Sequence, residues 1–147
     1  MMELFRGYVK TKNKKCTQKF ANGEKLLTLD QAEKLDEYAG IIADGIILVD
    51  IDDSEQAEIL MDIVEDLQLN CRVYQTTRGR HFYFKNDGVK KNFTGVNLAC
   101  GLKADIKLGE KNSYAILKFN GKERFIDWEE EGQLDTLPKF LLPVKSD

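Results

Sequence analysis

Three short segments of this chain gather residue types that act on phosphate. The first is Leu48-Val49-Asp50-Ile51-Asp52-Asp53, an apolar run that ends in carboxylates. In a strand, residues i and i+2 share a side. Asp50 and Asp52 would then stand about 7 Å apart at the end of the strand. Two like charges there call for a cation. A divalent ion with oxygen ligands, shared with substrate phosphates, is the natural partner. The plainer reading is a solvated strand end with Asp53 capping the next helix.

The second segment is Thr76-Thr77-Arg78-Gly79-Arg80-His81-Phe82-Tyr83-Phe84, which holds the one histidine of the chain. Glycine lets backbone approach a ligand closely. Arg78 and Arg80 offer forked donors that suit phosphate oxygens. A structural histidine is the ordinary alternative, but flanking arginines do not suit a core position. Phe82 and Phe84 read as core residues of a strand. The third segment is Gly101-Leu102-Lys103-Ala104-Asp105-Ile106-Lys107-Leu108-Gly109. An acid inside a strand is unfavourable, and period-2 spacing puts Lys103, Asp105 and Lys107 on one face. A carboxylate between two lysines fits a metal–phosphate site, and an exposed ladder of alternating charge fits equally.

These segments need elements to hold them. Glu3–Lys10 reads as a strand. Thr28 and Gln31 form a capping box, which predicts a helix to about Tyr38 with Gly40 as its stop. Gly45–Ile51 is a buried strand. Leu60, Ile63, Val64 and Leu67 mark one face of a helix that starts near Asp53 or Ser54. Cys71–Thr76 and His81–Lys85 read as strands joined by the basic turn. Lys103–Lys107, Ser113–Phe119 and Glu123–Trp128 follow, with Asn120-Gly121 as a hairpin turn. The expectation is an α/β (α+β) domain, a mixed sheet with flanking helices.

A chain of 147 residues with 42% apolar and 32% charged content fits one folded domain. It has no run near the roughly 18 apolar residues of a membrane span, and its first residues lack a signal peptide's apolar stretch. A cytoplasmic protein with no membrane partner is expected. The net charge of −3 argues against a general nucleic-acid coat. Yet Thr76–Lys111 carries eight basic residues against three acidic ones, which points to one anion-facing side. Cys16, Cys71 and Cys100 have no CxxC spacing, so reduced, mostly buried thiols are expected.

Together the three segments resemble the archaeo-eukaryotic primase superfamily, most closely the small primase–polymerase domains of phages and mobile elements. The family carries a DxD on a strand, a small residue–x–His on a later strand, and then a third acid. Here these are Asp50-Ile51-Asp52, Gly79-Arg80-His81 and Asp105-Ile106-Lys107-Leu108-Gly109. Tyr38-Ala39-Gly40-Ile41-Ile42 looks like the lead-in to the DxD strand, and Leu137-Pro138-x-Phe140-Leu141 like the domain end. The chain departs in having Gly79 for serine, and Tyr114–Lys118 where cellular members have Pro-Pro-Ser.

The resemblance implies one catalytic domain over residues 1–147 with an RRM-like α/β core, of the kind that can precede a hexameric helicase. It implies a DNA primase or DNA-directed polymerase, joining NTPs or dNTPs on a single-stranded DNA template during replication. Asp50, Asp52 and Asp105 would be catalytic and hold two Mg²⁺ or Mn²⁺ ions, and His81 would hold the triphosphate. Arg78, Arg80 and Lys107 are further candidates for the nucleotide phosphates, and Lys90 and Lys91 for the template backbone. Two alternatives stay open. One is a nucleotide- or DNA-binding module that needs a partner helicase; the other is a different metal-dependent enzyme, a nuclease or sugar-nucleotide transferase.

Overall fold

The computed structural model describes residues 3–20 and 25–144, and strands dominate it. In chain order, β1 (Phe5–Lys12) and β2 (Lys15–Cys16) precede a one-turn helix, α1 (Leu29–Ala32). Next come β3 (Tyr38–Ile42), β4 (Ile46–Ile51) and the one long helix, α2 (Ser54–Leu67). Strands β5 (Arg72–Gln75), β6 (Arg80–Lys85), β7 (Phe93–Leu98), β8 (Lys103–Leu108) and β9 (Tyr114–Phe119) follow. Short strands β10 (Lys122–Glu123), β11 (Ile126–Trp128) and β12 (Pro143–Val144) end the chain. They build two sheets, β10-β9-β3-β1-β2 and β11-β5-β6-β4-β8-β7-β12.

This corrects the α/β expectation. Every pairing between these strands is antiparallel. The result is a β-rich, sandwich-like fold with one long helix on one face among the described residues, rather than the expected α/β core. The helix predicted to reach Tyr38 stops at Ala32, although its capping box forms as expected. The five residues from Tyr38 to Ile42 are instead all buried, as a strand between β1 and β9. A short apolar run does not by itself tell strand from helix. Gly40, read as a helix stop, lies inside β3, where a Cβ would come within 2.5 Å of the Phe5 ring. The strand expected over Glu123–Trp128 is split between the two sheets.

Alternation along β4 makes the layers. Ile47, Val49 and Ile51 pack with Ala57, Leu60, Met61 and Val64 of α2, and with Phe82 and Phe84. Burying each of Leu60, Met61 and Val64 stabilises by roughly 1.5–3 kcal/mol. Ile46 and Leu48 face the other way, into a cluster with Phe5, Tyr38, Tyr83 and Leu117 that joins the two sheets. Asp53 caps α2, accepting the Gln56 amide at 2.9 Å. The stripe read for α2 shifts by a residue: Leu67 is exposed, while Ala57 and Met61 are buried. Among the described residues no helix is long and apolar enough to cross a membrane.

All three cysteines are free, but Cys16 is half-buried and Cys100 exposed, which corrects the expectation of mostly buried thiols. Burial pushes the Cys71 thiol up to about 12, with Asp135 and Glu130 adding to it. A thiol reagent at pH 8 should label Cys100 rapidly and Cys71 only on unfolding. Mass spectrometry of the labelled peptides checks this, and fast labelling of native Cys71 would contradict the packing of α2 on the sheet.

Candidate active site

The register of three strands brings the three motifs into one row. Asp50 on β4 stands directly opposite His81 on β6 and directly opposite Asp105 on β8. Directly opposed residues share a face, with Cβ atoms about 5 Å apart. This is the face that carries Leu48 and Tyr83 toward the second sheet. Past Leu48 the sheets leave a cleft of about 520 Å³, lined by Asp50, Asp52, His81, Asp105 and Lys107. A smaller hollow of about 180 Å³ opens beside the same three carboxylates, near the start of α2.

Like charges set directly opposite destabilise a sheet, so their surroundings decide whether Asp50 and Asp105 are tolerated. His81 Nε2 lies 3.4 Å from Asp50 Oδ1. Burial pushes the Asp50 pKa up, but contact with the His81 ring and the charges of Lys107 and Arg124 outweigh it. The net effect holds the carboxyl below its ordinary range. Asp105 accepts the Gly95 amide at 2.7 Å. That amide is aimed by a register shift in β7, where Gly95 takes φ 59°, a conformation that favours glycine.

Asp52 lies just past β4, and its carboxylate accepts from Arg78 at 2.7 Å. Both side chains are more than half exposed, so the pair is worth at most about 1 kcal/mol and opens easily. The basic turn closes through Thr76, whose amide donates to the Gly79 carbonyl and whose hydroxyl accepts the Gly79 amide. A Cβ on Gly79 would fall 1.8 Å from the Ile51 carbonyl oxygen. Only glycine lets this turn lie against the end of β4, and that contact sets Arg78 beside Asp52.

Arg80 does not join the cleft. Adjacent strand residues point to opposite faces. Its guanidinium pairs with Asp127 at 2.8 Å and Glu58 at 2.9 Å. Lys90 and Lys91 also lie elsewhere, lining a hollow with Phe93, Leu142 and Pro143. The principal cleft residue that sequence reading missed is Arg124. It enters the wall from the segment that joins β10 to β11 and is half-buried. Its Nε has no hydrogen-bond partner among the described residues. Burial lowers its pKa against the pull of Asp50 and Tyr83. Lys14 and Lys111 add charge to the lining. No local motif marks these residues, because they reach the cleft from other elements.

Among the described residues no three carboxylate, histidine or cysteine side chains are gathered closely enough to cage a metal ion. What is present is the opposed pair Asp50 and Asp105, with Asp52 held by Arg78. That donor set fits Mg²⁺ or Mn²⁺ bound by one or two carboxylates together with substrate phosphates. Compared with protein-family models, curated proteins and solved structures, the chain matches none.

The depressed folded-state pKa of Asp50 means its charge stabilises the fold above the ordinary carboxylate value near 4. That contribution is lost as pH falls through the folded value. Asp50→Asn should therefore lower the Tm at pH 7, and its gap from wild type should close below about pH 4. A gap of equal size at pH 7 and pH 3 would remove this account of Asp50. Gly79→Ala should cost about 1–3 kcal/mol through overpacking against β4, read by urea unfolding; an unchanged midpoint would show that the turn has room to move.

Proposed function

We propose that this chain joins NTPs or dNTPs on a single-stranded DNA template, as a primase or primase–polymerase. One observation carries the reading: His81, Asp50 and Asp105 stand side by side in one cross-strand row that floors a cation-lined cleft. The three segments that resemble primase motifs thus meet at one place, and the reading draws on that meeting rather than on fold class.

The residues divide the work as follows. His81, Lys107 and Arg124 present positive or donor groups around the carboxylates in the cleft wall, where a triphosphate can lie. Arg78 is an additional phosphate contact once it leaves Asp52. Asp50 and Asp105, with Asp52 when Arg78 has released it, would hold the divalent cations against those phosphates. When bound, such cations polarise the phosphoryl oxygens and favour attack by a nucleotide 3′-hydroxyl on the α-phosphorus. The attack forms a 3′–5′ phosphodiester bond and breaks the bond to pyrophosphate, which leaves with its electron pair, while the 3′-hydroxyl proton passes to solvent. Base identity comes from pairing with the template, so few side chains need to read bases. A second reading, a nucleotide-binding module without transfer, is favoured by the engagement of Asp52 with Arg78.

The test is incubation with single-stranded DNA, Mg²⁺ or Mn²⁺ and labelled NTPs or dNTPs, with and without a primer. New chains without a primer mark a primase, and extension only of a primer marks a polymerase. Nucleotide binding with no product favours the module, and degradation of DNA without nucleotide overturns the proposal in favour of a nuclease. Asp50→Ala and Asp105→Ala should abolish transfer with circular dichroism unchanged. His81→Ala and Arg78→Ala should raise the KM for nucleotide. Arg80→Ala should lower the Tm without a selective KM effect, because its partners are Asp127 and Glu58.

A further inference from the structure

Beside the carboxylate cleft the chain crosses from one sheet to the other. The Arg124 amide donates to the Leu117 carbonyl of β9, and the next carbonyl, that of Phe125, accepts from Gln75 of β5. At this crossing Arg124 lines the carboxylate cleft, while Phe125 is 65% exposed. A single exposed phenylalanine is unremarkable by itself. This one, however, lines a groove of about 440 Å³ with Phe119, Lys122, Thr76 and Thr77. Thr76, Thr77 and Arg124 also line the carboxylate cleft, so groove and cleft share a wall.

Around the aromatic faces three cations, Lys14, Lys122 and Arg124, stand against the one carboxylate of the groove, Glu123. Lys14 Nζ sits 5.0 Å from the Phe119 ring centroid, and Lys122 lines the groove. The acid of the groove, Glu123, is engaged by the Tyr38 hydroxyl at 2.7 Å. Nearby Asp127 is held by Arg80 and Gln75. Exposed aromatic faces interleaved with cations are what single-stranded nucleic acid binds, bases stacking while phosphates meet the charges.

We propose that this groove seats the bases of single-stranded DNA as the strand runs into the cleft, with Phe125 as the stacking platform. The assignment rests on the nucleotidyl-transfer reading for the role of that DNA as template. It also moves the template away from Lys90 and Lys91. Their hollow is lined by Asp87–Lys91, Phe93, Leu142 and Pro143 and shares no lining residue with the carboxylate cleft.

The test is fluorescence anisotropy with a labelled oligo-dT and with an abasic oligonucleotide of equal length, without nucleotide or divalent metal. Phe125→Ala should weaken oligo-dT binding roughly tenfold and leave the already weaker abasic binding unchanged. Phe125→Trp should restore affinity, and its fluorescence should be quenched by oligo-dT beyond any change in a Trp128-only control. The double variant Lys90→Ala, Lys91→Ala should bind as wild type. Equal wild-type affinity for the two oligonucleotides, or undiminished binding by Phe125→Ala, overturns the groove assignment. So does loss of binding in the double lysine variant alone. Asp50→Asn separates the two claims, since it should keep oligo-dT binding while losing transfer. If wild type transfers no nucleotide but binds through Phe125, the transfer reading falls and the groove stands.

Discussion

Two carboxylates set directly opposite each other in the interior of a sheet are the constraint around which this molecule is arranged. Asp50 and Asp105 occupy neighbouring strands at matched register. Apolar residues there would pack, and like charges would repel. The arrangement persists because positive and donor groups converge on the row from several directions. His81 sits on the far side of Asp50, Lys107 lies two residues along β8, Arg124 comes from the sheet crossing, and the Gly95 amide meets Asp105. Each of these offsets repulsion between the carboxylates, so the pair is tolerable only in their company.

The surrounding architecture serves that row. One face of the seven-stranded sheet is closed by α2, and the other by the second sheet up to Leu48 and Tyr83. Beyond that point the apolar filling stops and the polar row begins. Two glycines tune the approach by different means. Gly79 allows backbone to pass where no Cβ fits, and Gly95 adopts a positive φ that turns an amide toward Asp105. Arg78 and Arg80, two residues apart, have opposite fates. Arg78 reaches Asp52 from the exposed turn, whereas Arg80 lies on the strand face away from the cleft and ties β6 to Asp127 and Glu58.

Much of this was legible in the sequence, for reasons that are local. The period-2 rule placed the alternate residues of β4 and β8 on common faces. The capping box at Thr28, the Asp53 cap and the Asn120-Gly121 turn follow from side-chain reach and positive φ, which need no distant partner. The motifs named Asp50, His81 and Asp105 because carboxylates and a histidine beside basic turns are out of place in ordinary strands.

Other features depended on contacts between distant segments. Tyr38–Ile42 is a strand because β1 and β9 flank it on either side; alone, five apolar residues say only that they are buried. Sequence spacing placed Asp50 beside Asp52, but antiparallel pairing placed it beside His81 and Asp105. Arg124 and Phe125 carry no motif, and their places are set where the chain passes between sheets. The sequence by itself determined which side chains bear charge and which strand face each occupies, since those follow from covalent geometry. Only the tertiary structure decided which faces meet and which cations reach the carboxylates, because register between strands is set by packing across the whole core.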